Sequence, residues 1–217
     1  NTITRVLEIF RKKNLLNKKK FIIKIKKNIP HSSGLGGGSS DAAALLNFMN
    51  LKMNLRLNRS KIYKMGNLVG SDVPLNLVQK DLFLTGKRLK ILKSKKNFNI
   101  LIVFSNILCS TRRVYLKNKL FSIPKTVSLR LLNNKKKLIN FLQNEHNDLE
   151  KTVINMYPAI GKIIKLISIQ KGCYFSRLTG SGSACIGLFS SLKTARLAKK
   201  NIKRNFPKYW CAVSKTI

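Results

Sequence analysis

The densest concentration of chemically useful residue types in the chain is Asn28-Ile-Pro-His-Ser-Ser-Gly-Leu-Gly-Gly-Gly-Ser-Ser-Asp-Ala-Ala-Ala44. Gly34, Gly36, Gly37 and Gly38 allow the backbone to take positive φ and to come close to a ligand. Ser39 and Ser40 stand just before a helical pattern that begins at Asp41, so hydroxyls and free N–H groups converge on one point. A helix start of that kind is an anion site, and a nucleotide polyphosphate is its natural occupant. The spelling excludes two familiar phosphate loops. A Walker A loop needs Lys and then Ser or Thr after its last glycine, whereas Gly38 is followed by Ser39 and Ser40. A dinucleotide fingerprint begun at Gly34 would need glycine where Ser39 stands. A flexible loop with an ordinary serine cap is the plain alternative, and it leaves four glycines in five positions without a reason.

Three further segments carry polar groups at fixed spacing. In Gly70-Ser-Asp-Val-Pro74, Asp72 is a carboxylate in a glycine-opened turn, available as a base or as an Asx-turn residue. It is one of only 7 acidic residues, the others being Glu8, Asp41, Asp81, Glu145, Asp148 and Glu150. Leu178-Thr-Gly-Ser-Gly-Ser-Ala-Cys185 is a small-residue turn between two strand-like runs, equally readable as a tight hairpin. In Glu145-His-Asn-Asp-Leu-Glu150, Asn147 or Asp148 is placed to cap the helix that follows.

These segments need elements to hold them. Ile3, Val6, Leu7 and Phe10 recur at helical spacing and predict a helix over 2–13. Residues 21–29 mix Ile with Lys and predict a strand with one wet face, ended by Pro30. Helices are expected from Asp41 and over 60–69, and a hairpin over 81–92 that turns near Thr85 and Gly86. The polar run 93–97 reads as the boundary between lobes 1–95 and 96–217. Beyond it the pattern predicts a buried strand over 99–104, then helices near 111–118, 126–133, 136–143 and 148–169. Strands over 172–178 and 183–189, a basic helix over 191–204 and a last strand over 209–213 complete the chain. The class is α+β in two lobes.

The 217 residues include 44 Lys and Arg, which against 7 acids give a net charge of +37. A chain that is 44% hydrophobic forms a core and is not a disordered basic tail. No run reaches the roughly eighteen apolar residues of a membrane span. The N-terminal Asn-Thr-Ile-Thr-Arg has neither a signal-peptide core nor a starting Met, the expectation for a chain that begins partway into a longer protein. Charge of this size raises the possibility of nucleic-acid binding. The basic residues, however, run from Arg5 to Lys215 in short clusters at 18–20, 93–96 and 135–137, with no recognisable RNA-binding module. Lys, Asn and Ile, all with AT-rich codons, are abundant together, so compositional drift accounts better for the excess. Cys109, Cys173, Cys185 and Cys211 are isolated and only His31 and His146 could join them, which predicts reduced thiols and no zinc site.

Taken in order and spacing, the four segments resemble the GHMP kinase superfamily of small-molecule kinases. Residues 30–44 are similar to its ATP loop and 179–184 to its C-terminal glycine motif. The triple glycine, Gly70-Ser-Asp-Val-Pro74 and Asn147-Asp-Leu-Glu150 are similar to the branch whose substrate is 4-diphosphocytidyl-2-C-methyl-D-erythritol, in the non-mevalonate isoprenoid route. The resemblance covers essentially the whole chain. It implies a two-lobe α+β fold, with a ribosomal-protein-like N-terminal lobe and a ferredoxin-like C-terminal lobe. The implied reaction is phosphorylation of the substrate's 2-hydroxyl, with ATP and Mg²⁺.

By position, the resemblance implies that Pro30, His31, Ser32, Ser33, Gly34, Leu35, Gly36, Gly37, Gly38, Ser39 and Ser40 wrap the ATP phosphates. It puts Asn1 near adenine, Lys27 just ahead of the loop and Asp72 in the catalytic role. Thr111, Tyr115, Thr179, Gly180, Ser181 and Gly182 fall on the substrate side, with Tyr115 stacking on cytosine; a half-buried core tyrosine is the alternative for that residue. No residue is put forward as a metal ligand. The resemblance also implies a cytoplasmic monomer or homodimer with no specific nucleic-acid partner and no membrane. Members of the superfamily branch carry a further N-terminal segment, with a Lys-bearing strand and a Tyr-His pair, so these 217 residues alone are expected to be poorly stable and inactive. Two rivals stay open. One is another kinase of the superfamily, although the homoserine and mevalonate branches have a shorter loop without the extra glycine and Asp41. The other is a basic RNA-binding protein of related fold, which gives 34–40 and Asp72 no task.

Overall fold

The computed structural model describes residues 1–17, 19–78, 80, 82–85, 88–92, 97–123 and 127–216, which group into two units. The first, Asn1–His31 with Gly36–Gln79, is built from helices. Asn1 caps α1 (Thr2–Lys12), its side-chain oxygen accepting from the Ile3 N–H at 3.0 Å. Val6 and Phe10, one turn apart, are fully buried against Ala42, Leu46 and Met49 of α2 (Gly37–Lys52) and Ile62, Met65 and Val69 of α3 (Arg59–Val69). Asn58 caps α3, and Pro74 sits in the first turn of the short α4 (Val73–Asn76). Helix α2 begins at Gly37, ahead of the start expected at Asp41, so the glycines and Ser39 and Ser40 form its first turn.

The strand expected over 21–29 does not form. A strand is stable only as part of a ladder, and among the described residues this unit has no second strand to pair with it. The segment carries no regular secondary structure, and Ile22 is 92% exposed.

The second unit comprises Ser32–Leu35 and Lys80–Ile217. Its hairpin, β1 (Leu82–Thr85) with β2 (Arg88–Ile91), is antiparallel with Leu82 opposite Ile91. Gly86 of the expected turn, the run 93–96 and Thr126 lie outside the described residues. Phe83 and Leu92 pack with Phe98, Leu132 and Leu138, so by packing the hairpin joins the second unit and not the lobe 1–95 to which its sequence position assigned it.

After β3 (Asn99–Phe104) come α5 (Thr111–Lys117), α6 (Leu129–Asn133), α7 (Lys135–Asn144), α8 (Glu150–Met156) and α9 (Pro158–Ser168). Then follow β4 (Cys173–Leu178), β5 (Cys185–Phe189), α10 (Leu192–Asn205) and β6 (Trp210–Lys215). The helix expected over 148–169 is therefore two. Tyr157, ahead of Pro158, is held out of helical geometry at φ −141° and ψ 79°, as a residue before proline prefers. The sheet is antiparallel in the order β4-β5-β3-β6, and with α8–α9 and α10 as crossovers this is the ferredoxin-like arrangement. Leu101 and Val103, alternate residues of β3, face Ile160, Ile163 and Ile167 of α9 and Ala195, Ala198 and Ile202 of α10, all essentially without exposure. Ser191 and Thr194 start α10 with a capping box. No helix among the described residues is long and apolar enough to cross a membrane.

The core makes two predictions. Ile163→Ala opens a void between α9 and the sheet and is expected to cost about 2–5 kcal/mol of stability, measured by urea denaturation. All four cysteines are free, and burial pushes Cys185 up to about 12 and Cys173 up to about 11. Because a raised thiol pKa keeps the unreactive neutral form well above neutral pH, a disulfide-exchange probe at pH 8 is expected to label Cys185 and Cys173 slowly in the native protein and rapidly in denaturant.

Candidate active site

In the first unit the glycine segment opens α2. Gly36 stands at the N-cap in the left-handed region, φ +67°, and no side chain caps this end. The first-turn N–H groups of a helix have no intrahelical acceptor, and the helix dipole adds partial positive charge there. A Cβ at Gly36 would meet nothing within 4 Å, so the space in front of the turn is open. The Ser40 N–H closes the first turn on Gly36 O at 2.9 Å. Thr2 Oγ1 donates to Gly38 O at 3.0 Å, which ties the start of α1 to the glycines. Lys27 pairs with Asp41 beside this turn. Asn1 is next to Thr2 but spends its side-chain oxygen on capping α1.

Asp72 follows α3 across Gly70 and stands, exposed, at the start of α4. Its Oδ1 accepts from Ser71 Oγ at 3.3 Å, and Asn76 Nδ2 donates to its backbone oxygen at 2.8 Å. Those hydrogen bonds are local, so the carboxylate is presented to solvent and not enclosed in the core.

In the second unit the small-residue run 179–183 forms a turn between β4 and β5. Gly180 and Gly182 take φ of +54° and +86°. The Thr179 N–H bonds to Ala184 O and the Gly182 N–H to Thr179 O, both at 3.0 Å. Residues Ser32–Leu35 lie on this turn: the Ala184 N–H donates to Ser33 O at 2.9 Å and Thr179 Oγ1 to Gly34 O at 3.2 Å. The approach is close enough that a Cβ on Gly34 would sit 2.5 Å from Thr179 O and 2.8 Å from Gly182 O. Ser183 Oγ donates to Ile107 O, and the Thr111 and Ser181 hydroxyls share a hydrogen bond of 2.8 Å. Thr111, Thr179, Gly180, Ser181 and Gly182 therefore gather around the segment carrying Ser33 and Gly34. Tyr115, by contrast, is 54% exposed on α5 and stacks on Phe121, with centroids 6.5 Å apart at 25°.

Leu149 stands at the N-cap position of α8, and the turn into the helix is held by Asn147, one of the two expected caps: its Oδ1 accepts from the Leu149 N–H at 3.0 Å and its carbonyl from the Glu150 N–H at 2.8 Å. Asn147 also donates through Nδ2 to Leu178 O at 3.1 Å and Gly180 O at 2.8 Å. Glu150 accepts from the Leu178 N–H at 2.7 Å. Asp148 accepts from the N–H and hydroxyl of Ser122 and from His146 Nε2, and those bonds hold its carboxyl below the usual carboxylate range. The only sequence signal of this second role was a run of polar residues at a helix start, which is the signature of a cap as well. Among the described residues, no group of three or more His, Cys, Asp or Glu comes together as a metal site.

Comparison with known proteins covers both units. Residues 1–79 match the family model of the GHMP kinases N terminal domain, and residues 128–208 that of the GHMP kinases C terminal. The whole chain is 39% identical over 220 residues to the 4-diphosphocytidyl-2-C-methyl-D-erythritol kinase of Pelagibacter ubique, spanning 76% of that protein. It is 35% identical to the enzyme of the same name from Thermodesulfovibrio yellowstonii, over 92% of this chain and 72% of the relative. In three dimensions it resembles a crystal structure of 4-(cytidine 5'-diphospho)-2C-methyl-D-erythritol kinase, with a TM-score of 0.77, 23% identity, and coverage of 98% of this chain and 77% of the other. It also resembles the homoserine kinase of Cytophaga hutchinsonii, with a TM-score of 0.72 and 14% identity, over 100% of this chain and 76% of the other. At those identities the two structures speak for a shared fold.

The two left-handed glycines are expected to differ when substituted. Gly34→Ala meets two backbone oxygens as well as an unfavourable φ and is expected to cost about 2–5 kcal/mol. Gly36→Ala meets only the φ penalty, about 1–2 kcal/mol. Thermal melts of the two variants check the order.

Proposed function

The chain belongs to the GHMP kinases, within the 4-diphosphocytidyl-2-C-methyl-D-erythritol kinase family, and from that premise we propose how its own residues carry out the transfer. It is an ATP-dependent small-molecule kinase of non-mevalonate isoprenoid biosynthesis, acting on the 2-hydroxyl of the alcohol for which the family is named. The observation that carries the assignment of the nucleotide site is the open, uncapped start of α2 behind the left-handed Gly36. Its first-turn N–H groups fit an anionic chain, and the glycines remove every Cβ that would hold such a chain away.

ATP supplies the transferred phosphoryl group. The α2 start binds and orients the phosphates, and Lys27, placed at that turn by Asp41, adds a positive charge. Ser39 and Ser40 offer hydroxyls within the same first turn. Asp72, oriented through Ser71, accepts the proton of the attacking hydroxyl. The Thr111–Ser181 hydroxyl pair and the turn 179–182 supply polar groups for the substrate, and Tyr115 supplies an exposed ring for the cytosine. Asn1 borders the nucleotide's base from its place beside Thr2. A divalent cation enters as a companion of the phosphates, in keeping with the preference of Mg²⁺ for phosphate oxygens and water over a full protein cage. The same reading gives a cytoplasmic monomer or homodimer, in which the free thiols stay reduced.

Asp72→Asn in the protein at its natural length is expected to lower kcat by about 10²–10⁴-fold while ATP still binds. Turnover within about tenfold of the wild type would show that Asp72 is not the base. A panel of the cytidine-diphosphate alcohol, homoserine and mevalonate, with ATP consumption as readout, tests the choice of substrate.

A further inference from the structure

The reaction described above leaves Asn147 and Glu150 without a task, yet both side chains make long-range polar contacts within the second unit. Both Leu178 backbone groups are taken up by this pair, the N–H by Glu150 Oε2 at 2.7 Å and the carbonyl by Asn147 Nδ2 at 3.1 Å. Asn147 Nδ2 reaches a second carbonyl, Gly180 O, at 2.8 Å. Its own Oδ1 accepts from the Leu149 N–H at 3.0 Å, which fixes the amide plane and so decides which end faces the turn. The residue bracketed by these contacts is Thr179. Its hydroxyl holds Gly34 O and its carbonyl lies where a Gly34 side chain would collide. Local capping accounts for Asn147 Oδ1 alone; the bonds of Asn147 Nδ2 and of the Glu150 carboxylate to residues 178 and 180 lie outside it.

We infer that Asn147 and Glu150 are positioning residues: they clamp the glycine turn at Leu178 and Gly180, and through Thr179 the turn sets the path of Ser32–Leu35 into the nucleotide loop. This rests on the reading of 32–40 as the ATP loop. A network of this kind acts on nucleotide binding without touching the nucleotide. Two directed hydrogen bonds from one amide fix both position and rotation of the turn, and an error of about 1 Å in the loop is enough to disturb a phosphate site.

The test uses the protein at its natural length, with KM for ATP, KM for the alcohol, the affinity for a fluorescent N-methylanthraniloyl ATP analogue and the melting temperature measured in each variant. Asn147→Ala and Glu150→Ala are expected to raise KM for ATP and weaken the analogue by on the order of tenfold, with KM for the alcohol rising as well because the same turn serves the substrate. Glu150→Gln keeps an acceptor for the Leu178 N–H and is expected to restore near-normal values, a rescue that a purely electrostatic role would not produce. The double variant is expected to be less than additive, because both side chains act on one turn. Should Asn147→Ala fail to fold, Thr179→Val tests the same linkage by removing only the hydroxyl bond to Gly34, with a smaller rise in KM for ATP expected. Folded Asn147 and Thr179 variants with an unchanged KM for ATP, or a Glu150→Gln variant as impaired as Glu150→Ala, would overturn the inference. Gly34→Ala separates the two levels. If it too leaves analogue binding unchanged, the ATP-loop reading fails, and if it alone weakens binding, only the clamp fails.

Discussion

A backbone carbonyl at Thr179 occupies the place where any side chain on residue 34 would begin, and the second unit's contribution to the glycine loop follows from that contact. Only glycine lets the two chains come within hydrogen-bonding range, with the Ala184 N–H reaching Ser33 O and the Thr179 hydroxyl reaching Gly34 O. The turn can offer those groups because Gly180 and Gly182 take left-handed geometry between β4 and β5. The strands in turn are held by the buried face of the sheet against α9 and α10. Within the second unit residues 32–35 are thus held on the turn between β4 and β5, and within the first unit the glycines that follow open α2.

The scarce acids show the same economy of position. Asp41 faces Lys27 at the start of α2, Asp148 ties down Ser122, and Glu150 receives the Leu178 N–H. Among the described residues, Asp72 alone of the carboxylates of the four motifs is exposed with only local partners, Ser71 and Asn76. The basic excess of +37 has no comparable organisation. A polyphosphate needs a handful of positive groups, and the lysines are distributed over the helices of both units.

Elements with strong local periodicity were legible in the sequence. The Ile3, Val6, Phe10 spacing of α1, the apolar run of β3 and the Ser191 start of α10 each carry their own signal, and each stands where the pattern predicts. The glycine loop was legible because its residue types have few other uses. What failed did so where the deciding partner is remote or absent. Residues 21–29 have strand composition but no ladder. The run 148–169 has continuous helical character, and one proline divides it. Asn147 has the composition and place of a cap and bonds the Leu149 N–H accordingly, while the partners of its Nδ2, which no local pattern announces, lie 31 and 33 residues further along.

Residue types and spacing were therefore sufficient to pick out a glycine-rich helix start, an exposed carboxylate, a small-residue turn and the α+β chain that carries them. These are properties of single segments, set by conformational preference and side-chain functionality. Only the tertiary structure decided which segment leans on which. Ser32–Leu35 belongs with a turn some 150 residues away, and Asn147 serves that turn as well as the start of its own helix. The reason is physical. A backbone carbonyl or amide looks the same at every position of a sequence, and it gains a specific partner only when packing of the core brings the two ends of the chain together.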